Sequence, residues 1–257
     1  RAMRRGFLEC LAALCASLVL AAAPAWAQAE PPSEQWAHET SDIAPDPAVR
    51  FGALPNGMRY ALLKNQLPPG AVSIRMSVDF GSLEEAENEQ GLAHFIEHMA
   101  FNGSKNVPEG EMVRILERLG LAFGADTNAS TGQKFTTYQL ELPNASDALV
   151  DESLFLLREL ASELTFSAEA IDRERGVVLS EYRRGDNFQR RRNDQQLEFL
   201  IPGAYAASRM PIGDPAVLET ATRETMVSLY ERFYRPERTV LILVGDFDVE
   251  AVEKKIT

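Results

Sequence analysis

AVSIRMSVDFGSLEEAENEQGLAHFIEHMA, residues 71–100, holds a strand, a loop and a helix in succession. Val72, Ile74, Met76 and Val78 are apolar, and Ser73, Arg75, Ser77 and Asp79 between them are polar. Successive side chains on a strand point to opposite faces, so residues 71–80 read as a half-buried strand. Residues 81–90 are polar and acidic and read as a loop. A helix follows and stops at Asn102-Gly103. On that helix His94, Glu97 and His98 stand three and four residues apart and share one face, while Phe95, Ile96 and Met99 form an apolar stripe opposite.

Two of the chain's three histidines fall in this pentapeptide. Neutral imidazoles are good zinc ligands, and a third protein ligand would leave one position open for water. Glu97 would sit beside that water as a general base. Cysteine cannot be the third ligand, because Cys10 and Cys15 both lie in an N-terminal apolar segment. His38 falls in a polar lead-in and reads as a solvated side chain. An acid is therefore expected. Glu174 and Glu181 stand out, seven residues apart on one face of a long helix with apolar Val177, Val178 and Leu179 between them. A carboxylate flanked by buried residues needs a partner, and a cation would serve. Spacing alone does not rank the two.

Outward from this stretch, Asn56-Gly57 is a turn signal feeding a strand at 59–64. Pro108 opens a helix to about residue 119, closed by Gly120. Residues 121–130 and 134–142 read as two strands around Thr131-Gly132. A helix at 146–164 precedes a second one that begins at Ser167 and runs past Arg190, its arginine-rich tail solvated. Pro211, Gly213 and Pro215 mark a loop, 222–233 a helix, 239–244 a central strand, and Asp248 the start of a last helix. Strands and helices mix without regular alternation. The expected fold is α+β, with helices packed on a mixed, mainly antiparallel sheet.

With 257 residues, 45% hydrophobic, the chain can bury a sizeable core. A net charge of −12 makes nucleic acid an unsuitable partner. Arg1, Arg4 and Arg5, the apolar run at 11–23 and Ala25-Trp26-Ala27 together read as a signal peptide cleaved after Ala27. Export, to the periplasm of a Gram-negative bacterium, with no stable membrane anchor after cleavage, is the expectation. Residues 28–50, rich in Pro, Glu, Asp and Ser, read as an exposed lead-in.

His94-Phe95-Ile96-Glu97-His98 is the inverted zinc signature. Gly91-Leu92-Ala93 precedes it and Met99-Ala100-Phe101-Asn102-Gly103-Ser104 follows. With Glu174-Arg175-Gly176-Val177-Val178-Leu179-Ser180-Glu181-Tyr182-Arg183, the chain resembles the pitrilysin/insulysin family of zinc peptidases over residues 51–257. Its exported bacterial and processing-peptidase-like members are the most similar. The resemblance implies the matching metallohydrolase fold, one Zn2+ per domain, His94, His98 and Glu181 as ligands, and Glu97 as catalytic base. It makes Glu174 the residue that orients the ligands. It also implies peptide binding as an added strand along residues 125–130, with Asn128 and Ala129 nearest the scissile bond. Members of the family are clam shells of two or four such domains. By that likeness, 51–257 is an N-terminal catalytic domain, truncated at its C-terminal end, of an endopeptidase for short or unfolded peptides that needs a second homologous domain or subunit. The alternative is a non-catalytic binding or assembly subunit; such members usually lose motif residues, and here they are present.

Overall fold

The computed structural model describes residues 36–122 and 124–257, so the signal-peptide segment 1–27 and the start of the lead-in lie outside the described residues. Among the described residues, six strands form one sheet: β1 (Val49–Ala53), β2 (Arg59–Lys64), β3 (Val72–Val78), β4 (Thr127–Thr131), β5 (Thr136–Leu142) and β6 (Thr239–Gly245). Their order is β1-β2-β6-β3-β5-β4. Only β2 and β6 run parallel; every other neighbouring pair is antiparallel. The mixed, mainly antiparallel sheet with helices packed on it is the expected α+β architecture.

Eight α-helices are described: α1 (Leu92–Met99), α2 (Glu111–Arg118), α3 (Asp147–Ser162), α4 (Ala168–Gly185), α5 (Phe188–Leu200), α6 (Pro215–Thr220), α7 (Arg223–Phe233) and α8 (Val249–Ile256). The alternation in β3 is realised directly, with Val72, Ile74, Met76 and Val78 buried. Tyr138, Leu140 and Leu142 of β5 and Leu241 and Leu243 of β6 join them in the core. Leu92, Phe95, Ile96 and Met99 of α1 and Leu156, Leu157 and Leu160 of α3 belong to the same core. Each such side chain contributes about 1.5–3 kcal/mol by leaving water. The polar set of β3 lies on the other face, where Arg75 pairs with Glu141 across the sheet at 2.5 Å.

The structure corrects several sequence expectations. The strand expected at 121–130 is confined to Thr127–Thr131. Gly120 and Gly124 have positive φ, and Asp126 accepts the Ala122 N–H at 2.9 Å, so the chain turns before it can pair. The helix from Ser167 ends at Gly185, because Asn187 leaves the helical region and caps α5 by accepting the Arg190 N–H at 3.0 Å. Pro215 starts a short helix instead of remaining in a loop. The lead-in is exposed from residue 39 to 48, but its boundary shifts, since β1 begins at Val49. His38 is half-buried, its ring 4.4 Å from Phe51, instead of solvated.

Candidate metal centre

The helix bearing the motif, α1, is buried on nearly every side. His94 is 9% exposed and Glu97 8%, so the polar face looks into a cleft and not into bulk water. Its first residue is preceded by Gly91 at φ 93°, which offers no capping side chain. The cap comes from elsewhere: the buried Glu85 carboxylate accepts the N–H of Gly91 at 2.9 Å and of Ala93 at 2.7 Å. A negative charge at a helix N-terminus also complements the dipole. Gly213 packs against this end so closely that a Cβ there would stand 2.3 Å from Gly91 Cα. Arg175 fastens α4 to α6 through the Leu218 and Ala221 carbonyls.

Helix α4 brings both candidate acids to the histidines. His94 Nε2 and His98 Nε2 are 3.2 Å apart, and Glu181 Oε2 lies 3.8 Å from the first and 3.5 Å from the second. Four ligands arranged tetrahedrally at zinc distances have edges of about 3.3 Å, so the triangle suits a shared tetrahedral ion. Among the described residues this is the histidine–acid cluster able to hold a metal. Glu174 points elsewhere: its Oε2 accepts from His98 Nδ1 at 3.3 Å, leaving Nε2 free. A carboxylate behind a ligand's second nitrogen fixes ring orientation and tautomer. His94 Nδ1 has no partner among the described residues and is held by packing alone.

Electrostatics agree with a cation site. Burial lowers His94 to about 4, and neighbouring His98 adds to the effect, so this imidazole stays neutral at neutral pH. Burial also pulls on His98, but the hydrogen bond to Glu174 and the surrounding carboxylates reverse it and raise that ring. Glu174 is held below the usual carboxylate range, chiefly by the same bond. Burial raises Glu97 above its ordinary value, opposed by the Thr131 hydroxyl.

The cleft has a volume of about 680 Å³ and is lined by the histidines, the three glutamates, and residues 128–131 of β4. Asn128 is exposed and Ala129 half-buried along its rim. Val177, which the sequence placed among buried residues, is exposed and forms a wall of the cleft with Pro211 and Ile212, while Val178 is the buried one. Thr131, read from the sequence as a turn residue, ends β4 and donates its hydroxyl to Glu97 Oε2 at 2.6 Å. The available signal was its period: it sits two residues past Ala129, on the same strand face. A second recess of about 430 Å³, between α3, α8 and the turn before β2, is mainly apolar and remote from these groups.

Residues 60–202 match the family model described as insulinase (peptidase family M16), and residues 220–257 match the one described as the M16 inactive domain. The chain is 36% identical over 209 residues to a probable zinc protease PqqL of Haemophilus influenzae, covering 81% of this chain and 23% of that protein. It is 34% identical to the chloroplastic stromal processing peptidase of Pisum sativum, covering 80% and 16%. The crystal structure of the periplasmic protease PqqL from Escherichia coli superposes with a TM-score of 0.81 at 33% identity, over 83% of this chain and 24% of that one. The chain thus spans less than a quarter of each of these proteins. With the family match running through more than half of its residues and its fold shared at this level, the chain belongs to the insulinase family of peptidases, peptidase family M16.

Proposed function

We propose that this chain is the zinc-binding catalytic domain of an exported endopeptidase that cleaves short or unfolded peptides and is completed by a second homologous domain or subunit. The observation carrying the proposal is the convergence of two imidazole nitrogens and one carboxylate oxygen, 3.2–3.8 Å apart, beside a buried Glu97. His94 and His98 would hold the ion through Nε2 and Glu181 through its carboxylate, with Glu174 orienting His98. Zinc, when bound, supplies a Lewis acid that polarises a carbonyl and acidifies water. Glu97 accepts the proton of the attacking water and returns it to the leaving amine. Burial raises its proton affinity, which favours its taking up the proton of that water.

Among the described residues, strand β4 is the last in the sheet and pairs on one side only, with β5. An extended peptide laid along its open edge would gain backbone hydrogen bonds with little side-chain selection, with Asn128 and Ala129 beside the scissile bond. Export to the periplasm is supported by the basic start, the apolar run and Ala25-Trp26-Ala27, and by the similarity to a periplasmic protease. The further domain is supported by the much greater length of the relatives and by the second family match, which begins at residue 220.

The test pairs wild type with Glu97→Gln. Bound zinc is measured by elemental analysis, and cleavage of a quenched peptide library is followed with and without chelator. One zinc per chain is expected in both proteins, with chelator-sensitive cleavage in wild type and a loss of about 10²–10⁴-fold in the variant. Wild-type protein that binds no zinc, or a variant as active as wild type, overturns the proposal.

A further inference from the structure

We infer that Thr131 is a positioning residue that holds the Glu97 carboxylate in the one orientation in which Oε1 is the oxygen offered to take a proton. The inference rests on the role proposed for Glu97 and goes beyond it by naming what aims that side chain. Glu97 leaves α1 on a side chain with three rotatable bonds, and burial alone does not choose between orientations of its carboxylate. The Thr131 hydroxyl does choose, through a contact of 2.6 Å to Oε2. A hydroxyl donating to a carboxylate at that distance makes a strong, directional bond.

The hydroxyl is itself fixed. Thr131 pairs in register with Thr136, the first residue of β5, and their hydroxyl oxygens are 3.5 Å apart. Thr136 is fully buried and donates its own proton to the Phe80 carbonyl at 2.9 Å. It can therefore only accept from Thr131, at a distance too long to compete with the carboxylate. Threonine's branched Cβ stiffens χ1, which keeps the hydroxyl aimed. The β4–β5 hairpin thus sets the direction of a side chain on α1. With one lone pair of Oε2 engaged by Thr131, Oε1 is the less engaged oxygen and the one offered to a water in the cleft.

Two variants and three kinds of readout test this. Thr131→Val is nearly isosteric and keeps the β-branch but removes the donor; Thr131→Ser keeps the donor and loses the stiffness. Thr131→Val should lower kcat on the order of 10²-fold, as expected when a reacting group is misaimed. KM should stay within about twofold, because ground-state binding is untouched. Thr131→Ser should recover most of kcat. Both should keep full zinc content, measured by elemental analysis. Crystal structures of the two variants, which need no turnover, should show the Glu97 carboxylate rotated away in Thr131→Val and retained in Thr131→Ser. Wild-type kcat with an unmoved carboxylate in Thr131→Val overturns the inference. So does a rise in KM at constant kcat, or a loss of zinc in parallel with kcat. Glu97→Gln, measured alongside, separates the two failures: full activity there removes the base itself, whereas an inactive Glu97→Gln with an unaffected Thr131→Val removes only the positioning role.

Discussion

Removing the carboxylate at Glu174 measures how much of the proposed zinc affinity resides behind the two imidazoles. The bond from His98 Nδ1 to Glu174 Oε2, 3.3 Å long, joins side chains only 20% and 16% exposed. Water replaces it poorly at such a site. Hydrogen bonds to charged groups are worth about 1.5–3 kcal/mol, and part of that orients Nε2 and raises its basicity. Glu174→Ala should therefore weaken zinc binding by about 10–100-fold, that is by about 1.4–2.7 kcal/mol. Glu174→Gln retains an acceptor without the charge and should lie at the lower end. Competition against a chromophoric chelator at fixed pH reads the affinity directly. Zinc-induced stabilisation gives a second reading. At a zinc concentration of about 1,000 times the wild-type Kd, stabilisation is about 4.1 kcal/mol, and a 30-fold weaker variant retains about 2 kcal/mol. An affinity within twofold of wild type refutes the reasoning. A loss in Glu174→Ala exceeding that in Glu181→Ala would make Glu174 the ligand and reverse the assignment.

Glu85 gives a pH prediction. Burial raises its carboxyl to about 7 against an ordinary 4.5, although the two N–H donors of α1 oppose the shift. The folded protein therefore holds this proton more tightly than the unfolded chain. The resulting stability is complete below about pH 4.5 and is lost as pH rises through 7, a change of roughly 3 kcal/mol. Urea unfolding of wild type and Glu85→Gln across this range should show a difference that falls with pH; a flat difference contradicts it. Gly213→Ala would place a Cβ 2.5 Å from the Gln90 carbonyl at a φ of +73°. A loss of more than about 2 kcal/mol is expected from clash and left-handed strain together, and a loss below about 0.5 kcal/mol would show that the loop yields.

Elements fixed by local periodicity were readable from the chain. β3 announced itself by alternation, and α1 by a four-residue histidine spacing beside an apolar stripe. The central strand β6 was visible as a continuous apolar run. What escaped has no periodicity of its own. β1 is five residues long and earns its place only by pairing with β2. The break between α4 and α5 follows from one asparagine leaving the helix, which a continuing polar pattern does not show. In the site, His94, His98 and Glu97 declare themselves within one pentapeptide. Glu174 and Glu181 declare themselves as a pair and both face the imidazoles, but which of them reaches the two Nε2 atoms is set by how far α4 is shifted along its axis. Strand period places Thr131 on the face of Ala129, but its role arises from the β4–β5 register meeting a side chain from α1, which period does not show.

The position of β6 between β2 and β3 governs how this protein can be made. β2 and β3, the strands that flank it, are separated by fewer than ten residues in the chain yet are not bonded to each other. Both wait for a segment that leaves the ribosome more than 150 residues later. Until then the nascent polypeptide carries two partial sheets with unsatisfied inner edges, the kind of surface that recruits neighbouring chains. High contact order of this type slows folding and lengthens that exposure. Chains released before residue 239 should accumulate as aggregates.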